Sequence, residues 1–360
     1  MLIYILYFLV IAALAIQYEF QPFESSVPLV ILVLALAFMA GFQANGVTKD
    51  YDNYQASFEG IYEITASESG GLYIYEPGFL AVVLFCRILF KENYGLACFA
   101  VFAFSSVLLK IISIKRTPYN PYLVILFYLT GYFVLQEMTE IRIGVASAIF
   151  LIGVIYYIRG NTAAYIGLIL LATCFHYSAI LYLVTLFFRR SAFNYYIFGA
   201  LLALALVLGF VQVPVLDFLG GFVDTSVNRV AVQLELVQKG YITEINVFNV
   251  VNLFGIACCS YFLLFVPKKV LLSDKYLTFF LKCYILAIFL LSLLSGVASI
   301  AFRVSELFGV VSMFLYAGLV KHLPFSKFNI FVLILISALF FYIILFHSDL
   351  LRPYSIIRIK

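Results

Sequence analysis

The sequence predicts an all-α polytopic integral membrane protein with about 10 to 13 membrane segments, some of them broken or re-entrant helices. Of its 360 residues, 65% are apolar and only 11% are charged. Several apolar runs approach the roughly 20 residues that a helix needs to cross the hydrocarbon core. Because backbone groups in that core must be satisfied within the segment, these runs are predicted to be helices. The net charge of +4 is too dispersed to indicate nucleic acid, and the charged surface of a water-soluble α/β protein is absent.

The apolar runs give the candidate spans in chain order. The first run, MLIYILYFLV, lacks the basic region and cleavage site of a signal peptide, so it is interpreted as a retained span. Pro77–Phe90 is too short for an ordinary crossing and is predicted to be re-entrant or interfacial. The ordinary spans are Leu2–Ile16, Val27–Phe42, Tyr94–Ile114, Tyr122–Leu135, Ile141–Ile158, a broken pair (Ala163–Phe175 and Ser178–Phe188, turning near His176), Tyr195–Val213, Val247–Val266, Leu277–Leu294, Ile300–Leu319 and Phe328–Phe346.

Basic residues end alternate spans and so predict the orientation. Cytoplasmic loops carry an excess of Lys and Arg, which places the Gln136–Glu140 turn and the C-terminal tail on the outer face. Residues 1–360 are predicted to form a single membrane domain, with loops 43–75 and 214–246 on its extracytoplasmic side. The basic clusters are Lys115/Arg116, Arg159, Arg189/Arg190, Lys268/Lys269 and Lys321/Lys327.

Two arginines lie near the predicted outer ends of apolar spans. We expect Arg142 and Arg303 in the first turn of inward-running helices, where unsatisfied N–H groups already favour anions. A guanidinium binds phosphate through two parallel hydrogen bonds, so the pair predicts a phosphate or pyrophosphate clamp, with Arg229 as a third candidate. The alternative is local pairing, of Arg142 with Glu140 or Glu137 and of Arg303 with Glu306.

Other polar residues share that predicted face. His176 is a candidate base or phosphate donor, or a hydrogen-bonded helix breaker. Glu76 is a candidate base or hydroxyl-binding group, although Glu before a proline at a helix start is also an ordinary cap. Tyr51, Asp52 and Tyr54 are candidates for sugar binding, and their alternative is an interfacial aromatic loop. The C-terminal Arg352-Pro353-Tyr354 is predicted either to fold back to the outer surface or to be a frayed tail.

The cysteines and acidic residues indicate no metal or disulfide chemistry. All six cysteines fall in apolar stretches without the spacing of a disulfide framework or a Cys/His site. The few acidic residues likewise suggest no ligand set, so we predict metal independence and no cofactor.

Several short motifs, in this order, resemble the EpsG branch of the Wzy-type polysaccharide (O-antigen) polymerases. The resemblance runs from about Asp50 to Tyr354. It implies an architecture akin to GT-C glycosyltransferases, in a bacterial cytoplasmic membrane with the active site facing outward. The motifs are DYDNYQ, EPGF from Glu76, IRIGVASAI around Arg142, FHYSAI around His176, AFRVSELF around Arg303 and a terminal RPY.

The resemblance implies a glycosyltransferase that joins undecaprenyl-pyrophosphate-linked oligosaccharide units into O-antigen, capsule or exopolysaccharide. Arg142, Arg303 and Arg229 would stabilise the lipid pyrophosphate leaving group in place of a metal. His176, Glu76 and Glu140 would be the candidate catalytic residues, and Asp52, Tyr51, Tyr54 and Tyr354 would contact glycan. A chain-length regulator and a flippase of the same pathway are candidate partners. The alternatives are a flippase for the same lipid-linked oligosaccharide, an O-antigen ligase or a membrane acyltransferase.

Overall fold

A computed structural model of the chain describes residues 1–67, 75–190, 192–211, 245–296, 298–348 and 350–357. These ranges are helical and contain no strand. The two isolated β-bridges among them join Gln43 to Ile356 and Thr48 to Leu351. The α-helical class predicted from composition is therefore confirmed.

Helices account for nearly all of the described apolar sequence. Other helical segments are the 3₁₀ helices Lys91–Asn93, Tyr177–Phe187 and Ser326–Phe328, and the π-helix Leu129–Thr139. The α-helices in chain order are α1 (Leu2–Phe20), α2 (Val27–Gly41), α3 (Tyr51–Ser67), α4 (Pro77–Phe90), α5 (Tyr94–Lys115), α6 (Pro121–Tyr128), α7 (Ile141–Ile158), α8 (Thr162–Thr173), α9 (Tyr195–Val211), α10 (Val250–Leu264), α11 (Lys268–Ser273), α12 (Lys275–Leu293), α13 (Ala298–Gly309), α14 (Ser312–His322) and α15 (Asn329–Phe346).

Six of the described helical stretches are long and apolar enough to cross a membrane. A seventh candidate is the bent pair of Ile300–Gly309 and Ser312–His322, whose halves meet at 46°. This pair corrects the prediction of one uninterrupted span over Ile300–Leu319. Five further apolar helices are shorter, with 10–17 residues each. The protein is thus a multi-pass integral membrane protein with six or seven candidate spans.

Two compact units divide the chain, Met1–Leu183 with Tyr316–Lys360, and Val184–Leu315. In the first unit α5 packs against α2, α4 and α7, while α7 also packs against α8 and α1 against α6. The α2–α5 contact is close, since a Cβ on Gly41 would lie 2.9 Å from Ala100 Cα. In the second unit α12 packs against α9, α10 and α13.

Helix starts follow from capping residues and prolines. Asn120 begins α6 by accepting hydrogen bonds from the backbone N–H groups of Tyr122 and Leu123, with Pro121 in the first turn. Pro77 has the same position in α4, where the missing N–H has no cost. Such local signals explain why the predicted limits of Pro77–Phe90 and Ile141–Ile158 match the structure.

Two predicted irregularities are present in the first unit. α4 folds back along α5 after Lys91, whose φ is 46°. The contact that shows this joins Phe79 of α4 and Phe102 of α5, whose ring centres lie 5.7 Å apart. The broken pair also returns on itself, since the Tyr165 hydroxyl donates to the carbonyl of Tyr182 at 2.9 Å. A short re-entrant or interfacial helix and a hairpin that turns near His176 fit these contacts.

Two long elements of the first unit were not predicted, and neither was the short α11 of the second unit. α3 occupies most of the 43–75 segment, which had been interpreted as a loop. The π-helix Leu129–Thr139 extends α6 to the start of α7. Loop 214–246, apart from its last two residues, lies outside the described ranges.

Candidate functional site

Arg142 is the second residue of α7, as predicted, and its partner is a carboxylate distant in sequence. Its Nη1 lies 2.7 Å from Oε2 of Glu76, the residue that precedes α4. The Glu76 side chain is 7% exposed and that of Arg142 is 31% exposed, so the guanidinium retains an accessible part. Glu76 makes no side-chain capping hydrogen bond to α4. Glu137, one of the two local partners considered for Arg142, pairs with Lys110 instead, and the capping role of Glu76 is corrected.

Aromatic rings surround the Arg142 guanidinium. Its Cζ lies 5.6 Å from the ring centre of Tyr54 and 5.3 Å from that of Phe79. The Arg142 charge is close enough to the Tyr54 hydroxyl to affect its pKa. Burial raises the pKa of Tyr54 above its ordinary value, and the adjacent Arg142 charge only partly offsets this. Tyr54 therefore stays neutral at physiological pH and can fix the direction of the guanidinium.

The turn that carries His176 packs against the start of α4. The backbone N–H of Gly78 donates to the carbonyl of Cys174 at 2.7 Å, and the Tyr177 hydroxyl donates to the carbonyl of Tyr75 at 3.2 Å. A Cβ on Gly78 would lie 2.8 Å from that Cys174 oxygen, so the close approach requires glycine. The partly buried His176 thus lies in the turn that contacts the Glu76–Gly78 segment.

Glu140 joins the π-helix to α7 and lies near the same group of residues. Its backbone N–H donates to the carbonyl of Leu135 at 2.7 Å, which closes the π-helix, and its own carbonyl accepts from Gly144 at 3.1 Å. The negative charge of Glu140 also raises the pKa of Tyr54. Glu76, Glu140, Arg142 and Tyr54, together with the His176 turn, form what we call the Arg142 site.

The tyrosines predicted to stack on sugar are packed inside the protein. Tyr51 is 5% exposed and stacks on Phe99 with ring centres 4.5 Å apart. Tyr54 is 9% exposed and lies among Phe58, Phe79 and Phe99. These burials support anchoring of α3 rather than stacking on sugar, whereas Asp52 is exposed.

The C-terminal tail folds back, as one of its two predicted alternatives proposed. Residues Ser355 and Ile357 pair with the backbone of Ala44 and Phe42. The Tyr354 hydroxyl donates to the carbonyl of Met39 at 3.1 Å, and burial raises the pKa of Tyr354 to about 12. Tyr354 therefore anchors the tail to α2.

The other two candidate arginines are Arg303 and Arg229. Arg303 belongs to the second unit and is exposed in α13. It is the sixth residue of that helix rather than in its first turn, which corrects the prediction. Glu306, one turn further, is buried. Arg229 lies outside the described ranges.

The described acidic residues include one pair with the spacing of a metal-binding motif. Asp50 and Asp52 form an Asp-x-Asp pattern, so the expectation that the sequence contains no such pattern is wrong. No group of three His, Cys, Asp or Glu side chains that could hold a metal ion occurs in the described ranges. In the Arg142 site, the guanidinium is the group that could donate hydrogen bonds to an anion, and Glu76 is its carboxylate partner.

One feature of the first unit was missed by sequence reasoning. Lys110 of α5 and Glu137 of the π-helix form a buried ion pair, with side chains 0% and 1% exposed. Lys110 lies in the middle of an apolar run, and a charged residue at such a position is a signal that could have found it. Glu137 had been considered only as a partner for Arg142.

The fold and site together define a multi-pass membrane protein with a cation–carboxylate site at the start of an apolar helix. The model of the EpsG family matches residues 26–356, which is most of the chain. The chain therefore belongs to the EpsG family, which is linked to exopolysaccharide biosynthesis. Neither the curated proteins nor the solved structures compared with the chain gave a match.

Proposed function

We propose that the protein is a polymerase that transfers a growing glycan from undecaprenyl pyrophosphate to the next lipid-linked repeat unit. The observation that carries the proposal is the Arg142–Glu76 pair, in which a partly exposed guanidinium and a nearly buried carboxylate lie 2.7 Å apart. One group binds an anionic leaving group and the other accepts a proton. Membership of a family linked to exopolysaccharide biosynthesis supports the same chemistry.

In the proposed reaction, the bond between the donor's anomeric carbon and its pyrophosphate oxygen breaks. A hydroxyl oxygen of the acceptor unit forms the new bond to that carbon and loses its proton to Glu76. The lipid pyrophosphate leaves with the electron pair of the broken bond, and its growing negative charge is stabilised by Arg142. Tyr54 holds the guanidinium in direction, and His176 and Glu140 are the alternative proton acceptors.

Contacts on both sides of the ion pair support this division of roles. Arg142 Nε is buried and has no hydrogen-bond partner among the described residues, so the guanidinium has unused donor capacity. The Phe79 and Tyr54 rings exclude water on one side, which strengthens an electrostatic contact with phosphate. Asp52 is exposed on α3 and is the proposed contact to a glycan hydroxyl.

We also propose that the Arg142 site faces the outside of the cytoplasmic membrane. Lys115 and Arg116 end α5, and Lys321 donates to the carbonyl of Pro118 at 2.5 Å. These cations lie together at one end of the first unit, which the positive-inside rule assigns to the cytoplasm. α7 runs from Arg142 to Arg159, so Arg142 lies at its opposite end.

Polymerisation by the purified protein tests the proposal. Proteoliposomes would receive defined undecaprenyl-pyrophosphate repeat units, and glycan ladders and released undecaprenyl pyrophosphate would be measured. We expect ladders from the wild type, none from Arg142→Ala, and at least a tenfold loss from Arg142→Lys if both hydrogen bonds of the guanidinium are used. Arg116→Ala, an exposed arginine at the other helix end, is the matched control.

The same assay separates the rival functions. Transfer of a single unit to another acceptor would indicate a ligase, and movement of the lipid-linked unit across the bilayer without new bonds would indicate a flippase. A chelator arm tests metal independence, since loss of ladders would contradict it. Arg303→Ala and Arg229→Ala test the two remaining predicted arginines in parallel.

A further inference from the structure

The buried ion pair Lys110–Glu137 lies inside the membrane-spanning part of the first unit. Lys110 Nζ donates to a carboxylate oxygen of Glu137 and also to Oε1 of Gln136 at 2.7 Å. The three side chains are at most 1% exposed. Charges in such surroundings are strongly unfavourable unless they are paired and hydrogen-bonded, and apolar residues would hold two helices together at least as well. Stabilisation of the fold alone therefore does not explain why a buried ion pair is present at this position.

Further hydrogen bonds attach the pair to the neighbouring helices. The Tyr128 hydroxyl of α6 donates to Glu137 Oε1 at 2.7 Å, and the Ser147 hydroxyl of α7 donates to Gln136 Oε1 at 2.8 Å. Two adjacent residues of the π-helix are thus joined to α5, α6 and α7. We call Lys110, Tyr128, Gln136, Glu137 and Ser147 the buried polar cluster.

The next residue of the π-helix is fixed from the other side. The carbonyl oxygen of Met138 accepts from Gln43 Nε2 at 2.8 Å and from Thr48 Oγ1 at 3.1 Å. α7 approaches closely as well, because a Cβ on Gly144 would lie 2.6 Å from the Gln136 carbonyl oxygen. Residues 136–138 are therefore held by three elements, directly before Glu140 and Arg142.

The register of this segment decides where Arg142 points. A π-helix uses i→i+5 hydrogen bonds and competes with the more stable α-helix. Relaxing the last turn to α-helical bonds would shift each side chain by one position, about 100° around the helix axis. The Lys110–Glu137 pair is formed in the π register, and a rotation of that size would move the Glu137 side chain away from Lys110.

We propose that Lys110 and Glu137 are positioning residues for the Arg142 site, holding the π register so that Glu140 and Arg142 face Glu76 and Tyr54. Their effect on transfer rests on the proposed function. Their effect on the geometry of the Arg142 site does not, because it follows from the contacts of the first unit alone. The two effects are therefore measured separately.

The test uses the full-length protein in nanodiscs and inorganic pyrophosphate as the probe. The variants are Lys110→Met, Glu137→Gln and the double variant Lys110→Met/Glu137→Met. Thermal midpoint, the Kd for pyrophosphate and amide exchange of residues 136–146 are measured for each. We expect both single variants to bind pyrophosphate at least tenfold more weakly, with faster exchange concentrated in residues 136–146.

The double variant separates positioning from stability. Removing both charges leaves no unpaired buried ion, so its thermal midpoint should recover toward the wild type. Pyrophosphate should still bind weakly, because the Lys110–Glu137 pair that holds the π register is absent from the double variant. If the thermal midpoint and the Kd for pyrophosphate of the double variant both recover, the pair is only structural and the proposal is overturned. Unchanged amide exchange of residues 136–146 in the single variants would also overturn it.

A second buried lysine provides the matched control. Lys282 of α12, in the second unit, is 1% exposed and donates to the carbonyls of Arg189 and Ala192. Lys282→Met should lower the thermal midpoint without changing the Kd for pyrophosphate or exchange in residues 136–146. If wild-type protein shows no polymerisation, or no pyrophosphate binding, while the exchange differences persist, the proposed function fails and the positioning role stands.

Discussion

At the scale of single residues, the contacts of Arg142 explain why a cation is tolerated at the start of an apolar helix. Its charge is paired with Glu76, and the rings of Tyr54 and Phe79 lie beside the guanidinium. Sequence reasoning selected Glu76 and Arg142 as candidates because both are unusual among apolar neighbours. It did not pair them, because 66 residues separate them and nearer carboxylates offered simpler partners.

Tyr54→Phe tests whether the tyrosine hydroxyl directs Arg142. The variant keeps the ring packed on Phe58 and Phe79 and removes only the hydroxyl group of a ring that lies beside the guanidinium. We expect kcat/KM for polymerisation to fall roughly ten- to hundredfold with little change in thermal midpoint. Tyr51→Phe is the control, since the Tyr51 ring stacks on Phe99. Equal losses in both variants would show that only packing is affected.

At the scale of elements, most long helices were predictable, but α3 and the π-helix of the first unit were not. Prolines, asparagines and basic residues lie at the ends of the apolar runs. The limits of α4 and α7 could therefore be predicted from the local sequence. α3 was missed although Tyr51, Tyr54, Phe58 and Ile61 recur at helical spacing and are all buried. The π-helix Leu129–Thr139 has no comparable pattern, since its register depends on side-chain contacts with other helices.

The contact between α4 and the His176 turn gives a prediction about elements. Gly78→Ala places a Cβ 2.8 Å from the carbonyl oxygen of Cys174, so the turn or α4 must move. We expect about 1–3 kcal/mol of destabilisation, together with a loss of polymerisation as His176 and Glu76 separate. Thermal unfolding in detergent and the ladder assay measure the two effects. Gly95→Ala in α5 is the matched control because its Cβ would meet nothing within 4 Å, and a similar loss there would contradict the explanation.

At the scale of the whole molecule, the orientation in the membrane was predicted from the positions of Lys and Arg in the sequence. The structure of the first unit shows which residues can be used to measure it. α3 packs near the start of α5, where Tyr51 stacks on Phe99, while Arg116 follows the last residue of that helix. The 22 residues of α5 extend about 33 Å, which matches the hydrocarbon thickness. Asp52 and Arg116 are both exposed, so they are suitable reporters for opposite sides.

Cysteine labelling of Asp52→Cys and Arg116→Cys tests the orientation. Five of the six native cysteines are buried and Cys174 is partly exposed, so the wild type measures the background. With a membrane-impermeant maleimide on intact cells, we expect Asp52→Cys to react and Arg116→Cys to react only after the membrane is opened. The reverse pattern would place the Arg142 site in the cytoplasm and exclude transfer at the outer leaflet. Reaction of both in intact cells would instead contradict a membrane crossing by α5.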